Sequence, residues 1–282
     1  MTSKYNIPQK ATVKAMHGGG TNDPFTARML FGMLKIRDHF YQDKERLEFD
    51  SLFTPIYQNI LEAKYVKDQY IEMEKVHRMN IHSEKTAKYE NGVIRVDEDI
   101  SFSLNIWFKD FFIRGHIALD CLKRLTKKIF GVNIEFFFSN NYKFKNGLEK
   151  FQAQYKSGLF THFIKTLVAE RKNWIEPFVE MRIKIEHDGF KLDSPVYRVI
   201  NNKIVVIYPK IADKEIPETL ELLWDSLFNF CEDIIVMLFA SRLKGDEPFS
   251  IMYIPEELRD PIMPVKYQVA ITPPRELLEK IY

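Results

Sequence analysis

Between Asp99 and Phe130 the chain carries Ile106, Trp107, Ile113, Ile117, Leu119, Cys121, Leu122, Leu125 and Ile129. At about 3.6 residues per turn these side chains surround a helix instead of lining one stripe of it. A helix over about 99–130 is therefore central and must be enclosed by other elements. Several segments offer themselves as walls. Asp23-Pro24 is an N-cap followed by proline at the first helical position, and Met29, Leu30, Met33, Leu34, Ile36 and Phe40 recur at helical spacing, which predicts a helix over about 24–48. Thr54-Pro55 repeats the device ahead of Ile56, Ile60, Ala63, Val66, Tyr70, Met73 and Val76, a second helix over about 55–79. Phe160, Ile164, Leu167, Trp174, Phe178, Met181 and Ile185 form a seam interrupted by Arg171. Pro217 opens a last long helix over about 217–243.

Between these helices lie turn signals. Asn91-Gly92 separates Lys88-Tyr89 from Val93–Val96, and Asn201-Asn202 separates Val196–Ile200 from Lys203–Tyr208; both read as tight hairpins. Residues 246–282 alternate prolines with short apolar runs, as in an extended tail laid over the bundle or over a neighbouring subunit. The fold expected is mainly α: a bundle of five or more long helices with one or two small β-hairpins and an extended C-terminal tail. Residues 1–22 read as a flexible arm, and 23–98 as N-terminal helices with a hairpin. A helical core spans 99–245 with a hairpin at 196–208, and the tail spans 246–282.

Charge narrows the function classes. Forty-one basic against 39 acidic residues leave a formal net charge of +2, so no global field draws the chain to nucleic acid or an anionic membrane. No apolar run is long enough to cross a bilayer, and the first thirty residues lack the order of a secretory signal; a cytoplasmic location is expected. Cys121 and Cys231 sit within apolar helical patterns, as buried thiols do, and no metal or cofactor is implied. His17-Gly18-Gly19-Gly20 is similar to an oxyanion loop, but no Gly-x-Ser-x-Gly elbow accompanies it. Glu74 and His77 make one Glu-x-x-His step with no counterpart on another helix, so they are read as a solvated helix face. Asp110, Arg114 and Asp120 interrupt the central helix. Pairing at i,i+4, Asp110 with Arg114 and Asp120 with Arg124, accounts for them; alternatively Arg114 or Asp120 reaches the end of the seam helix.

That helix end is the stretch with chemistry in it. Pro177 predicts a kink or restart, Gly189 a left-handed cap, and between them stand Arg182 and His187, a permanent cation and a group that changes charge near neutral pH. Residues five apart on a helix point about 140 degrees from each other, so the two need a second copy about a twofold axis to share one cleft. Met181-Arg182-Ile183-Lys184-Ile185-Glu186-His187-Asp188-Gly189 resembles the signature of the HEPN superfamily of helical nucleotide-binding domains, in which Arg and His are four to six residues apart near the end of a bundle helix. Asp110–Asp120 resembles an early bundle helix of some bacterial members, and the likeness covers about 100–245. Members often place Asn, Asp or His after the Arg, where this chain has Ile183.

The resemblance implies a cytoplasmic RNA-binding protein or metal-independent endoribonuclease, a toxin or defence enzyme, acting at a homodimer interface. Arg182 would hold the scissile phosphate and His187 would move the proton at the 2′-hydroxyl or the leaving oxygen, with Arg114, Asp120 and Glu186 as supporting polar residues. The competing expectation is a non-catalytic helical scaffold that assembles with a protein partner, in which Arg182 pairs with Glu176, Glu180 or Glu186 and His187 merely ends its helix.

Overall fold

The computed structural model describes residues 20–138, 140–156, 158–243 and 249–271. The His17 run, nearly all of the N-terminal arm and the end of the tail lie outside the described residues. The molecule is mainly helical, with small two-stranded antiparallel sheets. The main elements are α1 (Met33–Phe40), α2 (Asp43–His82), α3 (Ser101–Leu125), α4 (Asn141–Gln154), α5 (Gly158–Glu170), α6 (Glu176–His187) and α7 (Ile216–Ala240).

The central helix is α3. It runs antiparallel along α2, as the crossings of Arg114 with Glu62, Tyr65 with Trp107 and Lys128 with Glu48 show. Helix α7 packs on both α2 and α3: the Trp224 indole donates to the Ile60 carbonyl at 3.2 Å, Lys67 reaches Glu221 at 2.7 Å, and Leu227 lies against Gly115. One buried cluster joins these helices, from Phe25 through Phe49, Phe53, Phe108, Phe111, Phe112 and Phe178 to Phe239. Cys121 and Cys231 are free and buried in it.

Two helix boundaries differ from the sequence reading. The first break falls at Tyr41–Gln42, both extended, and α2 then continues through Pro55. A proline inside a helix costs about 3 kcal/mol. Here Phe49 and Phe53 before it stay in phase with Ile56 and Ile60 after it, and all four are buried, so core packing outweighs the lost hydrogen bond. Tyr41 leaves the helical path because its ring is buried against Phe49 and Phe239, at 5.7 and 6.0 Å. At Pro177 the helix neither stops nor restarts: a π-helical turn, Arg171–Ile175, links α5 to α6, with helical dihedrals at both junctions. The wider turn absorbs the missing donor and carries Arg171 into the seam.

The hairpins β1–β2 (Ala87–Glu90 with Val93–Val96) and β3–β4 (Val196–Ile200 with Lys203–Ile207) form in the expected places. Asn91, Gly92, Asn201 and Asn202 all have positive φ, as primed two-residue turns require. Two further hairpins were not anticipated. The pair β5–β6 (Lys210–Ile211 with Lys214–Glu215) turns through Ala212-Asp213, and β7–β8 (Phe249–Tyr253 with Tyr267–Ile271) pairs the two apolar runs of the tail. The tail lies on the bundle, where Lys266 reaches Asp233 at 2.5 Å.

Candidate functional site

Helix α6 is anchored by Phe178, which is buried against Phe112 of α3 at 4.9 Å between ring centroids. Gly115 permits this approach, since a Cβ there would stand 2.5 Å from Phe178 Cζ. The helix ends as expected: Gly189 has φ +66°, and the Phe190 amide donates back to the Lys184 carbonyl at 3.1 Å. The Phe190 ring then meets Phe108 at 5.9 Å and the Leu192 amide donates to Asn105, so α6 runs antiparallel to α3.

This packing places the sequence-derived residues. Arg182 pairs with Glu186 one turn on, at 2.5 Å. The same carboxylate oxygen lies 3.9 Å from His187 Nε2, so Glu186 joins the two residues that helical geometry alone holds apart. His187 is 65 % exposed in its side chain. Arg114 does not join them; it faces α2, pairing with Glu62 at 2.6 Å and Asp110 at 3.3 Å. Asp120 does not join them either; its partners are Lys123 at 2.8 Å and His116 at 3.8 Å on its own helix, and the pairing with Arg124 expected from spacing is not the one formed.

His116 is the residue that sequence reading missed. It follows Gly115, the residue at the close contact of α3 with α6, and feels the charges of Arg182 and Glu186. Burial holds its imidazole below the usual range, against the pull of Asp120, and the Arg182 charge lowers it further. His116 Nδ1 and Arg182 Nε are shielded from solvent with no hydrogen-bond partner among the protein atoms, so both keep hydrogen-bonding capacity. Arg182, Glu186 and His187 thus lie together at the end of α6, and the His116 imidazole of α3 stands within the field of Arg182 and Glu186. None of five cavities found among the described residues is lined by Arg182, His187 or His116.

Glu74 and His77 are not a solvated face. They are 5 % and 1 % exposed, because the β3–β4 hairpin covers the end of α2. Tyr208 donates its one proton to the Glu74 carbonyl at 3.1 Å, so His77 Nδ1, 2.6 Å away, donates to Tyr208. In the neutral ring Nε2 then accepts from Tyr197 at 3.2 Å. Burial lowers the His77 basicity, opposed by the nearby Glu98 and Asp99, while burial raises Glu74. Both ring nitrogens face tyrosines, and the imidazole also bonds to the Glu98 backbone, which makes this a structural network.

Among the described residues no three His, Cys, Asp or Glu side chains cluster as metal ligands, and no helix is long and apolar enough to cross a membrane. Comparison with known proteins adds no relative: no family model, no curated protein and no solved structure matches the chain.

Proposed function

We propose that the chain is a HEPN-like, metal-independent endoribonuclease that binds and cleaves RNA as a homodimer. The observation that supports this reading is the link of Arg182 to the exposed His187 through Glu186 at the end of α6, with a second imidazole, His116 of α3, within the field of Arg182. Arg182 presents a planar fork to the scissile phosphate and stabilises the charge that develops on it. One imidazole takes the proton from the ribose 2′-hydroxyl as that oxygen attacks phosphorus, and the other returns a proton to the departing 5′-oxygen. Neither role requires a bound ion. Glu186 occupies the Arg182 fork in the resting chain and must yield to the phosphate. A second copy of α6 across this helix end supplies the missing wall of the cleft.

The test is incubation of the purified protein with mixed single-stranded RNA in excess chelator, beside Arg182→Ala and His187→Ala. Cleavage abolished in both variants supports the reading; no cleavage by the parent protein, or cleavage indifferent to both changes, refutes it.

One observation favours a non-catalytic interaction module instead. The outward face of β3–β4 exposes Val196, Ile200, Val205 and Ile207, while the inward face already packs on the bundle. On that reading Val205→Lys with Ile207→Lys abolishes complex formation, and Arg182→Ala changes nothing.

A further inference from the structure

A groove of about 520 Å³ runs between α5 and α7. Its floor is apolar, with Phe163 and Leu167 of α5 facing Phe230, Ile234 and Met237 of α7. Its rim is acidic: Glu170 comes from α5 and Asp225 and Asp233 from α7, His162 stands on the α5 side, and no lysine or arginine lines it. These carboxylates keep acceptor capacity. Among the described residues the Asp225 carboxylate has no ion pair or hydrogen bond. Partial burial, then the Glu221 charge, holds it above the usual carboxylate range against the pull of Lys67 and Arg28, so a cation laid on it is favoured. Asp233 takes both Lys266 and the Tyr267 hydroxyl on Oδ1, at 2.5 and 3.0 Å, which leaves Oδ2. Glu170 takes the Trp174 indole on Oε2 at 2.5 Å, which leaves Oε1.

An occupant that fits such a groove interleaves apolar and cationic side chains. Residues 1–19 have that composition: Lys4, Lys10 and Lys14 alternate with Ile7, Val13 and Met16, and no acidic residue occurs among them. Residues 272–282 set Arg275 and Lys280 against Glu276 and Glu279, so they bring no net charge to an acidic rim. Position selects the same segment. Phe25 lies against Trp224 and Phe228, Arg28 donates to Asn229 at 2.6 Å, and Phe40 stacks on Phe239, so the helical stretch leading through α1 follows α7 in its own direction. Asn229 also lines the groove. Gly20, where the described chain begins, therefore stands toward the Leu222–Asp225 end. From Leu222 to Met237 the groove follows about 22 Å of α7, which about seven extended residues span. Residues 10–16 have that length, and 17–19 lead to Gly20. Tethered beside the groove, such a segment meets it at an effective concentration on the order of millimolar, so weak contacts suffice.

We infer that the groove between α5 and α7 is the docking site of the chain's own N-terminal arm, with the arm's lysines on the acidic rim and its apolar side chains over the floor. No residue proposed for RNA cleavage lines the groove, so docking and cleavage stand or fall separately.

The test is zero-length carbodiimide cross-linking of the full chain, which joins an amine to a carboxylate only where the two touch, read by peptide mass spectrometry. Mixing isotope-labelled with unlabelled chains separates links within one chain from links between copies. The expected result is links within one chain from Lys10 or Lys14 to Asp225, Asp233 or Glu170. Asp225→Arg, a change at an exposed position, should lower the yield at Asp233 and Glu170 several-fold while circular dichroism stays that of the parent. Val13→Ser with Met16→Ser, which keeps every lysine, should lower the yield at all three carboxylates several-fold. No link between arm and groove, or a yield that either change leaves intact, overturns the docking site. Links from Lys280 to these carboxylates in place of Lys10 and Lys14 overturn the arm as occupant in favour of residues 272–282. Links found only between labelled and unlabelled chains overturn docking within one chain in favour of a second copy.

Discussion

Replacing Gly115 by alanine tests the contact on which the site depends. The added Cβ would stand 2.5 Å from Phe178 Cζ, 3.3 Å from Phe178 Cε1 and 3.2 Å from Leu227 Cδ2. Phe178 has little room to yield, since Phe112, Trp174 and Phe111 hold its ring at 4.9, 6.0 and 6.1 Å. Forcing a methyl into a packed core costs about 1–3 kcal/mol. Alanine returns about 1 kcal/mol through its higher helix propensity. An approach of 2.5 Å puts the cost at the upper end of that range, so the net loss is about 2 kcal/mol, or a melting temperature lower by roughly 4–8 °C for a chain of this size. His116 is the next residue, so α3 moving off α6 also displaces an imidazole from Arg182, and RNA cleavage should fall more than stability does. Urea denaturation of Gly115→Ala, Phe178→Leu and the double variant separates the terms. The double variant should be more stable than the sum of the single losses implies, with a coupling of about 0.5–3 kcal/mol. An alanine variant as stable as the parent, or strictly additive losses, would refute the close packing of α3 on α6.

Two other perturbations follow from buried charge. Glu232 is 0 % exposed and is held by Arg28, so Arg28→Met leaves a buried carboxylate with only Lys266, 3.7 Å away, and should cost about 3–5 kcal/mol by denaturant midpoint; Arg28→Met with Glu232→Leu should recover most of it. His77 and His116 are both held below the usual imidazole value, so the unfolded chain takes up their protons first as pH falls. Their contribution to stability is full above the ordinary value near 6.5 and is lost as pH falls through it toward the folded values, so melting temperature should drop between about pH 7 and pH 5.5 and drop less in His77→Gln.

Much of this architecture is written locally. Asp23-Pro24, Pro217, Gly189 and the Asn201-Asn202 turn each act on their own few residues, and the structure places helix starts, a cap and a hairpin there. The misreadings come from contacts between distant segments. Pro55 signals a boundary to its neighbours, but Phe49 and Phe53 bury against residues elsewhere in the chain and hold the helix through it. Glu74 and His77 look solvated until β3–β4, more than a hundred residues later, is folded over them. The site shows the same division. Arg182 and His187 stand out in sequence by residue type and by their place before a capped helix end. Their link through Glu186 depends on side-chain reach, which a helical wheel of Cα positions omits. His116 had a faint signal, a histidine four residues before Asp120 and directly after a glycine in an apolar helix. Only the antiparallel crossing of α3 and α6 gives it meaning.

The most direct measurement is the chemistry of the RNA ends produced in excess chelator, read by mass spectrometry of a short defined oligonucleotide. Attack by the 2′-hydroxyl with proton transfer by imidazole predicts a 2′,3′-cyclic phosphate on one fragment and a 5′-hydroxyl on the other, with both lost in Arg182→Ala and His187→Ala. Intact RNA, or fragments ending in 3′-hydroxyl and 5′-phosphate, would contradict the account.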